Sequence, residues 1–198
     1  MKRKMILLLG IMVLALGLVG TPTSWANSLS FQGVTFDLTL NGVNLDLRIQ
    51  GADTAIGDWA GIDTLNAFQI NNYGSATNLT ATDAFGTTWS PFDSGLNPSG
   101  CGVGQGEGTC FAASPFLALT NDFTITIAPA SGTFDLTLSD GEGLFGPHLK
   151  VLFGGADTGD GHGNLLSQTV SVPEPASLLL LGAGLAGLGI WRRKTNKV

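Results

Sequence analysis

Two cysteines, Cys101 and Cys110, enclose Gly-Val-Gly-Gln-Gly-Glu-Gly-Thr, and the chain has no third thiol. In an exported protein this pair is expected to form a disulfide. Closing a loop with four glycines contributes about 2–3 kcal/mol by restricting the unfolded chain, so a structural staple is the favoured reading. Redox or zinc chemistry would need a spacing and partner ligands that are absent here. Oxygen ligands gather in Asp157-Thr158-Gly159-Asp160-Gly161-His162-Gly163-Asn164. Asp157, Asp160 and Asn164 are of the types calcium takes, but the EF-hand and nonapeptide-repeat spacings are missing, and a solvated turn suits the same residues. Calcium is therefore the single cofactor candidate, and the expectation is that no metal is required.

Trp89-Ser90-Pro91-Phe92 sets two aromatics about a proline in a stretch read as turn-rich. Exposed rings there could stack on a sugar. Buried, they would plug one end of the domain, and this is the preferred reading because large rings are needed for burial in a domain with few aromatics. Nucleophilic catalysis has no visible motif: the chain lacks Gly-x-Ser-x-Gly, His-Glu-x-x-His and a free cysteine. Glu107, Glu142 or the aspartates could supply paired carboxylates for glycoside hydrolysis, but sequence does not reveal the separation that such chemistry needs. His148 sits beside Pro147 at the start of an expected strand. The chain is read as no enzyme.

Charge is strongly partitioned along the chain. Seven of the nine cations lie at the ends, while fourteen of the fifteen acids lie between Asn27 and Val172. Against those fourteen acids stand only Arg48 and Lys150, so this region carries a formal charge of −12. It should repel nucleic acid and anionic headgroups, for it lacks the Lys and Arg that neutralise phosphate.

The ends read as addresses. Lys2, Arg3 and Lys4 precede an apolar run from Met5 to Val19, and Ser24-Trp25-Ala26 puts small residues three and one positions before a cut. Residues 1–26 are expected to be a signal peptide handled by the general secretion machinery, cleaved after Ala26. At the other end Val172-Pro173-Glu174-Pro175 leads into sixteen uncharged residues, Ala176 to Trp191, and then Arg192, Arg193 and Lys194. A helix over 176–191 spans about 24 Å, short for a hydrocarbon core of about 30 Å. Its basic end, 192–198, should resist translocation and leave the domain outside. Two prolines around one acid hold the backbone extended and deny it donors, so this tetrapeptide cannot join a sheet.

This tail, from Val172 to Val198, resembles the PEP-CTERM sorting signal of exported proteins in Gram-negative bacteria. The Val-Pro-Glu-Pro tetrapeptide, the glycine-rich apolar helix and the Arg-Arg-Lys stop occur in the family's order. The resemblance implies that Pro173, Glu174 and Pro175 are recognised near the outer membrane boundary by an exosortase. It further implies transient anchoring through the helix, then transfer to the cell surface or exopolysaccharide matrix.

Between the addresses, residues 27–171 show period-two alternation. Phe36, Leu38 and Leu40 are followed by Val43, Leu45, Leu47 and Ile49, with Asn41-Gly42 between them expected to form a tight hairpin. Similar runs occur at Phe123–Ile127, Phe134–Leu138 and Leu149–Phe153, with strands also expected near 65–70, 76–81 and 165–170. Eight or nine short strands without a comparable helix predict an all-β domain, a two-sheet antiparallel β-sandwich of jelly-roll or Ig-like type, with a closed barrel as the alternative. Thr-Phe-Asp-Leu-Thr-Leu occurs at 35–40 and at 133–138, which suggests two equivalent hairpins. The functional expectation is an exported, non-catalytic surface or matrix protein associated with biofilm. A carbohydrate-binding module using Trp89 and Phe92 is the alternative, and a secreted glycoside hydrolase ranks last.

Overall fold

The computed structural model describes residues 26–102, 108–138, 146–155 and 164–171. The expected signal peptide and the 176–191 helix lie outside these residues. No helix among the described residues is long and apolar enough to cross a membrane.

Twelve strands form among the described residues, ten of them in two five-stranded antiparallel sheets. The first sheet has the order β1-β2-β3-β10-β5. It is built from Ala26–Phe31, Val34–Asn41, Asn44–Gln50, Asp122–Ser131 and Thr77–Asp83. The second has the order β12-β11-β4-β9-β6. Its strands are Asn164–Thr169, His148–Gly154, Thr64–Asn71, Thr109–Ala118 and Thr88–Phe92. The small β7–β8 hairpin, Leu96–Asn97 with Gly100–Cys101, stands apart.

Alternation explains the layering. In β2 and β3 the side chains of Phe36, Leu38, Leu45, Leu47 and Ile49 are fully buried, while Asp37, Thr39, Asp46 and Arg48 take the other face. The inner faces meet across a single core: Phe36 of the first sheet lies 6.3 Å from Phe153 of the second, centroid to centroid. Trp59, in a short 3-10 turn, packs edge-on against Phe31, Phe36 and Phe153 and closes that side. Phe68 stacks on Phe111 at 4.8 Å and meets Trp89 at 5.1 Å, closing the other.

The expected hairpin forms, one residue further on. Asn41 pairs with Asn44, so the turn residues are Gly42 and Val43. Gly42 alone of the two has positive φ, at 63°, the requirement at the first central position of a II′ turn. Val43 is accordingly 75% exposed at the tip rather than in the apolar row.

The second copy of Thr-Phe-Asp-Leu-Thr-Leu does not repeat this hairpin. Residues 133–138 form no strand; they run beside 73–75 through a single bridge between Gly74 and Phe134. β11 pairs instead with β12 and β4. The reason is local: Asp135 turns its carboxylate onto the N–H and hydroxyl of Thr137, 2.9 and 2.6 Å away, a turn that ends the extended run. Only Phe134 and Leu136 reach the core, and Leu138 faces solvent.

Three aspartates carry lowered pKa values. Partial burial alone would raise that of Asp83, but hydrogen bonds from Thr87, the Trp89 indole and the Phe85 N–H outweigh it. The Arg48 guanidinium holds Asp122 down, and Thr137 does the same for Asp135. Folded values below the unfolded ones mean that this stabilisation is present above the usual carboxylate range of about 4 and is lost as pH falls through the lowered values. Unfolding followed by tryptophan fluorescence should therefore show a falling midpoint in that acid window. Asp83→Ala should cost about 1 kcal/mol near neutral pH, the carboxylate being partly exposed, and should flatten the acid slope.

Candidate functional site

Three regions bear on function: the point where the tail leaves, the disulfide flap, and the outer surface of β6 and β9.

β12 ends at Thr169, and the following Val170 is fully buried. Its N–H donates to the Pro147 carbonyl at 2.9 Å. Its carbonyl accepts from the side chain of Asn27, which is itself wholly buried near the start of β1. The Asn27 amide nitrogen lies 3.4 Å from the Val170 oxygen and 3.3 Å from that of Leu136. Asn72 ties the same region from the other side, donating to the carbonyls of Leu138 and Gly146 at 3.1 and 3.2 Å. Gly146 has φ 131°, and a Cβ there would run into the Val170 carbonyl, so only glycine fits. Two asparagine side chains thus supply donors that no strand provides at this end. Ser171 is exposed, and the Val-Pro-Glu-Pro sequence follows at once. The tail leaves from a pinned point beside the beginning of the domain.

The cysteines are joined as expected, Cys101 to Cys110, with Cα atoms 5.8 Å apart. The bond has a specific load. Ala67, Cys110, Leu152 and Leu165 form an apolar patch on the outer face of the second sheet, and Leu96 of the β7–β8 hairpin packs into it. Gln69, buried on β4, accepts from the Leu96 N–H at 2.5 Å. The disulfide and this hydrogen bond hold a flap over apolar surface that would otherwise face water.

Trp89 and Phe92 belong to a strand, not a turn. Pro91 is tolerated because β6 is an edge strand, where a missing N–H breaks no ladder. Trp89 points inward, 6% exposed, and its indole donates to Asp83 at 2.9 Å. It plugs the core as the preferred reading had it, and it is not placed to stack on a sugar. Phe92 departs from that reading: it is 42% exposed on the opposite face.

Asp157, Asp160, His162, Glu107 and Glu142 lie outside the described residues, and Asn164 begins β12 by pairing with Phe153. His148 is tied to β12, its ring nitrogens 2.9 Å from the Ser167 hydroxyl and 3.3 Å from that of Thr169. Asn27 escaped the sequence reading because it abuts the expected cut. The hint it offered was an asparagine at the mouth of an otherwise alternating strand.

Residues 171–194 match the family model described as the PEP-CTERM protein-sorting motif. The matched span takes in Pro173, Glu174 and Pro175 as well as Arg192, Arg193 and Lys194. Comparison with curated proteins and with solved structures found no match. The motif implies an exported protein, processed at the membrane by an exosortase and transiently anchored there.

Replacing Asn27 with Ala strands two buried carbonyls and should cost about 1–3 kcal/mol, with faster amide exchange concentrated at the end of β12. Cys101→Ser should cost about 2–3 kcal/mol and raise dye binding to apolar surface, since the flap is then held only by the Gln69 hydrogen bond and the packing of Leu96. Urea unfolding with an apolar dye reads both.

Proposed function

We propose that this chain is an exported, non-catalytic protein of the cell surface or extracellular matrix, delivered by its tail and structural in role. The general secretion machinery carries it across the inner membrane. An exosortase-type enzyme then recognises Pro173, Glu174 and Pro175, while Arg192, Arg193 and Lys194 hold the far end of the helix at the cytoplasmic side. The domain takes its place at the surface or in a biofilm matrix of exopolysaccharide. The reading calls for no cofactor and no nucleic-acid partner.

The observation that carries this proposal is the placement of the sorting motif: its match begins at Ser171, one residue beyond the last buried residue of the domain. The prolines of the motif offer no N–H to a sheet edge, which disfavours its pairing with the sandwich. Such a sequence is suited to a processing enzyme however stable the domain is. The polar outer face of the first sheet supports a place in water. On the first sheet, Thr39, Asp46 and Thr126 lie side by side across three strands.

The test replaces Pro173, Glu174 and Pro175 together with alanine and follows the chain through membrane and released fractions. The variant should accumulate several-fold in the membrane fraction at full-tail mass, while the parent appears in the surface or released fraction. Equal distribution of the two would overturn sorting through the motif.

A further inference from the structure

The tripeptide Ser-Pro-Phe occurs twice, at Ser90-Pro91-Phe92 in β6 and at Ser114-Pro115-Phe116 in β9. These strands are antiparallel neighbours, and Trp89 pairs with Ala113. Ser90 and Ser114 each follow that pair by one residue, and Phe92 and Phe116 each follow it by three, on opposite sides. A local two-fold relation through the Trp89–Ala113 pair therefore links the two tripeptides.

Trp89, Ala113, Phe111 and Leu117 all turn into the core. The intervening paired positions point outward, Phe92, Ser90 and Thr88 on one strand and Ala112 and Ser114 on the other, and Phe116 follows in the exposed run 114–116. Phe92 is 42% exposed and Phe116 59%. Phe92 pairs with Cys110 and Phe116 lies just beyond the last β6–β9 pair, Thr88 with Ser114, so the two rings flank a paired row about 13 Å long. Between them the floor is small and hydroxylated, and the disulfide-held flap bounds the Phe92 end. At the Phe116 end a bulge interrupts the pairing of β9 with β4: Ala67 pairs with Ala112 but Leu65 with Leu117. That leaves Ser114, Pro115 and Phe116 exposed without a partner on β4. Phe85, also exposed, lies in the turn leading into β6 at this same end.

Charge narrows the choice of occupant. Neither β6 nor β9 contains a charged residue, although the domain is strongly acidic. Arg48 and Lys150, the cations among the described residues, lie on β3 and β11. A polyanion would meet an acidic surround with no counter-charge on these two strands. Two exposed rings over a hydroxyl-lined floor suit a chain that is apolar on its faces and rich in hydroxyls on its edges.

We propose that the β6–β9 trough holds an uncharged polysaccharide strand, stacked on Phe92 and Phe116 and hydrogen-bonded by Thr88, Ser90 and Ser114. The trough concerns what the domain holds once outside, and it stands apart from how the tail is processed.

The test is affinity electrophoresis of the full chain in neutral detergent, through gels carrying soluble neutral glucans, mannans or galactans, with an anionic polyuronate for comparison. At least one neutral polymer should retard the chain and the polyuronate should not. Phe92→Ala and Phe116→Ala should each weaken the interaction roughly tenfold, as expected for loss of an anchoring ring. Val43→Ala, an exposed apolar change in a hairpin turn of the far sheet, should leave it unaltered, and unchanged near-ultraviolet circular dichroism shows that the variants are folded. Absence of retardation in every neutral gel would overturn the proposal. So would equal retardation of parent and phenylalanine variants, or self-association that Phe92→Ala and Phe116→Ala abolish, which would make the trough a contact between copies. Sorting of these variants in cells is a separate readout that a wrong trough leaves untouched.

Discussion

A β-strand can turn its apolar side chains to one face only, so ten alternating strands can hide them only by facing one another in two layers. The contact between Phe36 and Phe153 is where that constraint is met, and Trp59 and Trp89 seal the two flanks. Everything else follows from what the two layers leave outside. The first sheet ends with a polar outer face that needs no cover. The second carries Ala67, Cys110, Leu152 and Leu165 on its outside, and the flap and its disulfide exist to cover them.

How much of this was legible in the chain depends on what each strand had to advertise. β2, β3, β10 and β11 alternate cleanly because both their faces have fixed environments, and these strands were read correctly. β6 and β9 were not, since each contains a proline and β9 is rich in small residues, which blurs the period; an edge position and a bulge accommodate them. Residues 133–138 alternate as well as any strand, yet Asp135 spends its carboxylate on Thr137 and the run turns. Local polar competition defeated a sound pattern there. The disulfide could be read from cysteine count alone, but not the patch it protects, because that patch assembles from four strands distant in sequence.

The same distinction applies to function. The sorting tail is a contiguous word, and sequence carries it whole. The sugar-stacking reading of Trp89 and Phe92 assumed that neighbours in sequence share a surface, whereas in a strand they face opposite ways. Trp89 went to the core, and the exposed ring beyond the other end of the β6–β9 row from Phe92 is Phe116. The repeated Ser-Pro-Phe was the available clue, and only the register of β6 on β9 gives it meaning.

The buried amide of Asn27 joins the first strand to the Val170 carbonyl just past the last, so the first and last strands meet at one corner. A domain of that kind behaves as a cassette with both leads on one side. It can be spliced into a surface loop of another exported carrier without prising the host apart, and its own ends could be fused and new ones opened at Gly42–Val43 with little change in chain entropy. Such freedom to move between scaffolds belongs to the domain alone and owes nothing to the address that follows it.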